Sequence, residues 1–194
     1  ANNFFAAHVA LEQSKKKALY CDLELSSLGI DPDSLETLLK KNKDIDSICL
    51  VHTGGIISDN IKDICYLAKK FNCTLIEDAA HAHGSKKNGI YAGNFGDISC
   101  FSFFPTKVMT TGEGGLINLK RKKDFLKAKS LKNFGRNLKD EWIREVNGSN
   151  CKVTEFQSIL GLLELKRFNQ RIYKRKVLFD RYKISNYFCI STQS

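Results

Sequence analysis

An apolar run, an amphipathic stretch and a second apolar run follow one another between Ile45 and Asp78, and this order constrains the fold more than any other feature of the chain. Ile45 to Val51 reads as a short buried strand that runs into the turn His52-Thr53-Gly54-Gly55. Beyond it, Ile61, Ile64, Leu67, Ala68 and Phe71 recur at the three-and-four spacing of one helix face, with Ser58 or Asp59 placed to cap the start. Cys73 to Ile76 is the second strand. Two neighbouring strands joined through a helix pair in parallel, so the segment predicts an α/β fold with a mostly parallel sheet flanked by helices.

The sequence continues that sheet. Ile98 to Phe104 is a third strand, ending at Pro105-Thr106-Lys107, and Gly112-Glu113-Gly114-Gly115 is a turn into a fourth, Leu116 to Leu119, expected to pair back against the third. Lys123 to Phe134 reads as helical. A long helix is expected from Thr154, where Thr154 and Gln157 have the spacing of a capping box. Phe156, Ile159, Leu160, Leu163, Phe168 and Ile172 give it an apolar stripe of the kind used for core or interface. Asn3 to Leu11 is apolar enough for a buried helix or strand.

Composition narrows the class. The chain has 194 residues, 42% hydrophobic and 27% charged, which fits a globular protein. Its net charge of +10 is spread over short lysine-rich runs without an RNA-recognition, zinc-finger or helix-turn-helix pattern, so no nucleic-acid partner is expected. Seven cysteines at 21, 49, 65, 73, 100, 151 and 189 include no C-x-x-C pair and no zinc-type spacing, which points to a reducing, cytoplasmic setting. No signal-peptide pattern and no membrane-length apolar stretch is present, so neither export nor a membrane partner is expected.

The polar residues with positional meaning lie between Asp78 and Gly115. In open α/β sheets, ligands bind beyond the carboxyl ends of the strands. Asp78 ends one strand, Lys107 follows another, and Ser102 precedes that lysine by five residues. A carboxylate and an amine brought to one rim are what pyridoxal phosphate chemistry requires. The amine forms a Schiff base with the cofactor aldehyde, while the carboxylate keeps the pyridine nitrogen protonated so that the ring can accept electrons. Ser102 and the backbone N–H groups of the glycine turn can donate to a phosphate. Taken singly, each residue has an ordinary alternative: a strand-end aspartate as a turn cap, a lysine after a strand as surface.

Four stretches change that balance together: Ile76-Glu77-Asp78-Ala79-Ala80-His81-Ala82-His83-Gly84, Ala92-Gly93-Asn94-Phe95-Gly96-Asp97, Phe101-Ser102-Phe103-Phe104-Pro105-Thr106-Lys107 and Thr111-Gly112-Glu113-Gly114-Gly115. Their order and wording resemble the DegT/DnrJ family of sugar aminotransferases, which are pyridoxal phosphate enzymes of fold type I. The likeness extends through Asp31-Pro32 and Val51-His52-Thr53-Gly54-Gly55 and ends near Asn150 to Leu165.

The resemblance implies an aspartate-aminotransferase-like large domain in which Lys107 is the Schiff-base lysine, Asp78 the pyridinium partner and Ser102 a phosphate ligand. It puts His81 beside the cofactor's 3′ oxygen, Phe4 over the cofactor ring, and Asn150 on the phosphate of a neighbouring subunit's cofactor, hence a homodimer with shared sites. Ala7 stands where the family commonly has Thr, and Cys151 where it has an aromatic residue. His83, two residues past His81, is expected on the opposite face in a structural role.

The implied reaction moves an amino group, with glutamate as donor, to a nucleotide-linked keto-sugar. Relatives with histidine in place of the lysine are dehydratases, and Lys107 favours transamination. The alternatives are such a sugar dehydratase relative and a non-catalytic regulatory or scaffold protein on the same fold.

The family's Gly-Thr helix start is expected ahead of Ala1 and its small domain beyond Ser194, which makes this chain a piece incomplete at both ends and, alone, marginally stable, weak in binding the cofactor and poor in turnover. Residues 1–150 then form the central part of the cofactor-binding domain, and 151–194 the helix leading toward the small domain. The apolar ends Phe4-Phe5 and Tyr187-Phe188 are expected to need partners outside it.

Overall fold

The computed structural model describes residues 3–140 and 142–184, and Tyr187-Phe188 and Cys189 lie outside them. Its centre is a four-stranded sheet of β1 (Ser47–Val51), β2 (Thr74–Asp78), β5 (Ile98–Ser102) and β6 (Gly115–Leu119), in that spatial order. β1, β2 and β5 run parallel, and β6 returns antiparallel along β5, as the glycine turn predicted. A two-stranded hairpin, β3 (Lys86–Lys87) and β4 (Ile90–Tyr91), turns through Asn88-Gly89, both at positive φ.

One sheet face carries the core. Ile48, Leu50 and Leu75 point to the same side as Ile61, Ile64, Leu67 and Ala68 of α3 (Ile61–Lys70), with Leu35 and Leu39 of α2 (Pro32–Lys41) completing the cluster. Burying each large side chain contributes roughly 1.5–3 kcal/mol, so these contacts set the position of β2. α2 starts where its sequence demands: the Asp31 side chain accepts from Ser34 N at 2.8 Å, and Pro32 occupies the first turn.

Local boundaries differ from the sequence reading in physically simple ways. α3 begins after Asn60, which makes no side-chain cap, while Ser58 Oγ accepts from Asn60 N at 3.0 Å. The cap expected of Ser58 or Asp59 is thus a turn that leads into the helix. α4 is Lys122–Leu131 and does not reach Phe134, because Phe134 sits at φ +61° and Gly135 at φ +74°, both incompatible with a continuing helix. The N-terminal segment forms α1 (Ala6–Gln13), in which no residue is buried.

α5 (Glu155–Ile184) is the long helix, and its capping box is formed: Gln157 N donates to Thr154 Oγ1, and Thr154 N donates to Gln157 Oε1 at 2.8 Å. The apolar stripe splits. Phe168 and Ile172 lie where a side chain on Gly84 would meet them, and Gly161 sits against Thr111. Phe156, Ile159 and Leu163 stay exposed, because the seam follows Gly161, the buried Glu164, Phe168 and Ile172 at helical spacing. No described helix is long and apolar enough to cross a membrane.

Candidate active site

Alternation along parallel strands builds the site. Val51, Asp78 and Cys100 stand in register across β1, β2 and β5, so Ser102, two residues beyond Cys100, shares the Asp78 face. Ser102 in turn pairs with Gly115, which brings the glycine turn to the same end of the sheet. Lys107 lies half-buried in the turn after β5, its N–H donating to Phe104 O at 3.0 Å. That loop is closed from behind: Phe103 N donates to Gly114 O at 2.9 Å and Thr111 N to Phe103 O at 3.0 Å.

Asp78 is held without being used up. Its Oδ1 accepts from Ala80 N at 3.1 Å, and no described residue pairs with Oδ2. Ser102 Oγ accepts from Phe104 N at 3.3 Å, which leaves the hydroxyl hydrogen to donate. Beside Asp78, burial and then the carboxylate's charge push the Cys100 thiol up, so this cysteine stays protonated. The six described cysteines are all free thiols.

The segment after β2 is a turn and not extended, so its two histidines are separated by the turn itself and not by strand alternation. His81 is exposed and His83 buried, with the His83 ring edge-on to Phe101 at 5.4 Å and tilted against Phe103 at 5.9 Å. Burial pushes the His83 imidazole down, and the charges of Lys107 and His81 act the same way against the Ser102 backbone. His83 is therefore neutral and shares a region with Lys107 and His81. Ala79 and Ala82, both buried, are small enough to let this turn fold back under the strand ends.

Two expected site residues are not brought to this rim by the chain itself. Phe4 is exposed, and its ring meets that of Phe5 at 4.2 Å; no ring contact ties it to β2 or β5 among the described residues. Asn150 is exposed on the lobe that follows α4 and is bridged to Asn133. Conversely, sequence reasoning passed over a buried pair beneath Asp78: Glu77 and His52, joined through Nε2 at 2.8 Å. The signal was a carboxylate inside the apolar strand Leu75-Ile76-Glu77, a position that only a buried partner makes tolerable.

A helix-flanked, mainly parallel sheet with a carboxylate and a hydroxyl side by side at its carboxyl edge defines an α/β fold that receives its ligand over the strand ends. Comparison with known proteins gives the family. Residues 1–185 match the DegT/DnrJ/EryC1/StrS aminotransferase family, and the chain belongs to it.

It is 37% identical over 157 residues to the UDP-4-amino-4,6-dideoxy-N-acetyl-beta-L-altrosamine transaminase of Campylobacter jejuni, covering 79% of this chain and 42% of that protein. It is also 37% identical over 137 residues to the GDP-perosamine synthase of Escherichia coli, covering 71% of this chain and 37% of that protein. Among solved structures, Helicobacter pylori PseC, an aminotransferase involved in the biosynthesis of pseudoaminic acid, superimposes with a TM-score of 0.84 at 28% identity, over 96% of this chain and 50% of the other. The chain thus spans about half or less of the length of the relatives it matches.

Proposed function

We propose that the protein containing this chain is a pyridoxal phosphate-dependent aminotransferase that transfers an amino group, with glutamate as donor, to a nucleotide-linked keto-sugar. The observation that carries the reading is the shared face of Asp78 and Ser102, with Gly115 paired to Ser102 and Lys107 in the turn that follows. The donor set fits the group: a carboxyl oxygen of Asp78 with no described partner for a ring N–H, a hydroxyl hydrogen of Ser102 for a phosphate oxygen, and the Lys107 amine carried by the turn after β5. The relatives' names support the sugar substrate and the transamination. When bound, the cofactor supplies an aldehyde to carry the amino group and a ring to take up the electron pair left at the donor's Cα.

The chain's own residues do the rest. Asp78 would hold the ring nitrogen's proton, and Ser102 with the glycine turn would anchor the phosphate. Lys107 Nζ would hold the cofactor at its aldehyde and, once displaced by the donor's amine, would move a proton at the substrate carbon. His81, exposed at the turn, is read as the group beside the ring oxygen. Phe4 and Asn150 belong to this reading as the ring cover and as a ligand to a second copy's cofactor, which makes the assembly a homodimer. Residues 1–150 serve as the central part of the cofactor domain, and residues 151–194, which contain α5, as the segment leading out of it.

Full-length protein saturated with pyridoxal phosphate should show visible absorbance that Lys107→Ala abolishes, and glutamate alone should bleach the wild-type band. A colourless wild type overturns the cofactor assignment. A coloured protein that glutamate and other amino donors leave unchanged supports the non-catalytic scaffold instead.

A further inference from the structure

Glu77 precedes Asp78 in β2 and therefore points to the opposite face, into the core, where it is fully buried. Its Oε2 accepts from His52 Nε2 at 2.8 Å and from Gly93 N at 2.7 Å, and its Oε1 accepts from Gly96 N at 2.6 Å. His52, also fully buried, stands one residue past β1, and its backbone N donates to Asp78 O at 3.0 Å. Gly93 O in turn accepts from Ser99 Oγ and from Asn118 Nδ2, each at 2.9 Å. One carboxylate thus ties the end of β1 and the loop before β5 to the residue beside Asp78, and through Gly93 reaches β5 and β6.

Stability alone does not explain such a device. Replacing buried charged and polar partners by packed apolar side chains is commonly neutral or stabilising, so the Glu77 carboxylate and its hydrogen-bonded His52 ask for a second role. We propose that His52 and Glu77 are positioning residues for Asp78, locking the last residues of β2 from behind so that its carboxylate meets the cofactor ring in one orientation. This rests on the cofactor reading given above. The charge state supports the geometry: burial pushes the Glu77 carboxyl up, but the hydrogen bonds from His52, Gly96 and Gly93 outweigh it and hold it below the ordinary range. Glu77 is therefore an anion at neutral pH and accepts only.

The test compares Glu77→Gln, His52→Ala and His52→Gln with Leu39→Ala, a core truncation in α2, in the full-length protein. Three readouts are taken: melting temperature, the pyridoxal phosphate dissociation constant of the apoprotein, and amide exchange at Ala80 without cofactor. The Ala80 N–H bonds Asp78 Oδ1, so its exchange reports the orientation of that carboxylate directly.

Positioning predicts that Glu77→Gln and His52→Ala weaken cofactor binding by about tenfold or more, as expected when a buried hydrogen-bonded group loses its partner. Both also speed exchange at Ala80. Leu39→Ala lowers the melting temperature with the dissociation constant within about twofold, the scatter expected of independent sites. His52→Gln, which keeps an N–H for Glu77, recovers affinity relative to His52→Ala. Variants at 52 and 77 that change affinity and Ala80 exchange no more than Leu39→Ala overturn the inference. A wild type that binds no cofactor overturns the functional reading instead, and Ala80 exchange still decides the positioning role. Should Glu77→Gln not fold, the two His52 variants carry the comparison.

Discussion

Asp78 and Cys100 stand in register across the parallel strands β2 and β5, on the same face of the sheet and two residues short of Ser102. The thiol is therefore a built-in reporter of the carboxylate's charge. Burial is the larger cause of its raised pKa, and Asp78 is the second. Asp78→Asn removes the second cause only, so the Cys100 thiol should ionise at lower pH while staying above an exposed cysteine. Iodoacetamide labelling of Cys100 as a function of pH, followed by peptide mass, measures this. An unchanged profile would mean that Asp78 does not act on the Cys100 thiol.

Gly93→Ala should be among the most costly single-methyl additions in the chain. Gly93 has φ +90°, and an added Cβ would lie 2.6 Å from the Phe101 ring and 3.0 Å from Ser99 Oγ. The backbone strain and the displaced ring together predict a loss of about 2–4 kcal/mol, read as a lower melting temperature. Phe101 also holds His83 edge-on, so displacement of that ring should disturb the Lys107 loop as well. An open pocket of about 340 Å³ flanks Phe101 on the side of Leu116 and Phe125, which gives the displaced ring room and sets the expected loss toward the lower end of that range.

Acid should destabilise the fold in two limbs. His83 has its folded pKa below the ordinary 6.5, so the unfolded chain binds the proton first; stability is full above 6.5 and falls as pH drops through the folded value. Glu77 has its folded pKa below the ordinary 4.5, so its contribution is present above 4.5 and is lost as pH falls below that. His83→Phe keeps an aromatic ring between Phe101 and Phe103 and removes the proton site, and should flatten the upper limb while sparing the lower. Urea midpoints from pH 7 to pH 3 measure both. A His83→Phe profile that still falls between 6.5 and 4.5 contradicts the assignment.

Much of this was legible in the sequence because it rests on short-range pattern. The period of Ile61, Ile64, Leu67 and Ala68 and the alternation in Ile48, Leu50 and Leu75 suffice for α3 and for the parallel pair around it. Asp78 and Ser102 were legible as strand-end residues for the same reason. The His52–Glu77 bond was not, since it joins residues 25 positions apart that only the β1–β2 register makes neighbours. The sharing of the α5 stripe between seam and solvent was hidden too. It depends on Gly161 fitting against Thr111, a contact in the folded chain that leaves no trace in periodicity. Phe4 and Asn150 were read through family likeness, and no local pattern in this chain ties either to the rim.

Gln157 offers the clearest test of how α5 is coupled to the site. Its Oε1 closes the capping box with Thr154, while its Nε2 donates to Glu113 O at 2.9 Å, inside the turn that delivers Gly115 to Ser102. Thr154→Ala should cost about 1 kcal/mol, the usual loss for an N-cap threonine, and should leave the glycine turn in place. Gln157→Ala removes both bonds and should cost about 1 kcal/mol more, since the Glu113 link is a further neutral hydrogen bond. Gln157→Ala keeps the backbone N–H that Thr154 Oγ1 accepts, so the double mutant should cost more than Gln157→Ala by no more than the N-cap loss of about 1 kcal/mol. Phosphate affinity separates the roles further: Gln157→Ala should weaken pyridoxal phosphate binding and Thr154→Ala should not. Equal effects of the two variants on that binding would mean that α5 acts on the glycine turn through its helix end as a whole, and not through the Gln157 side chain.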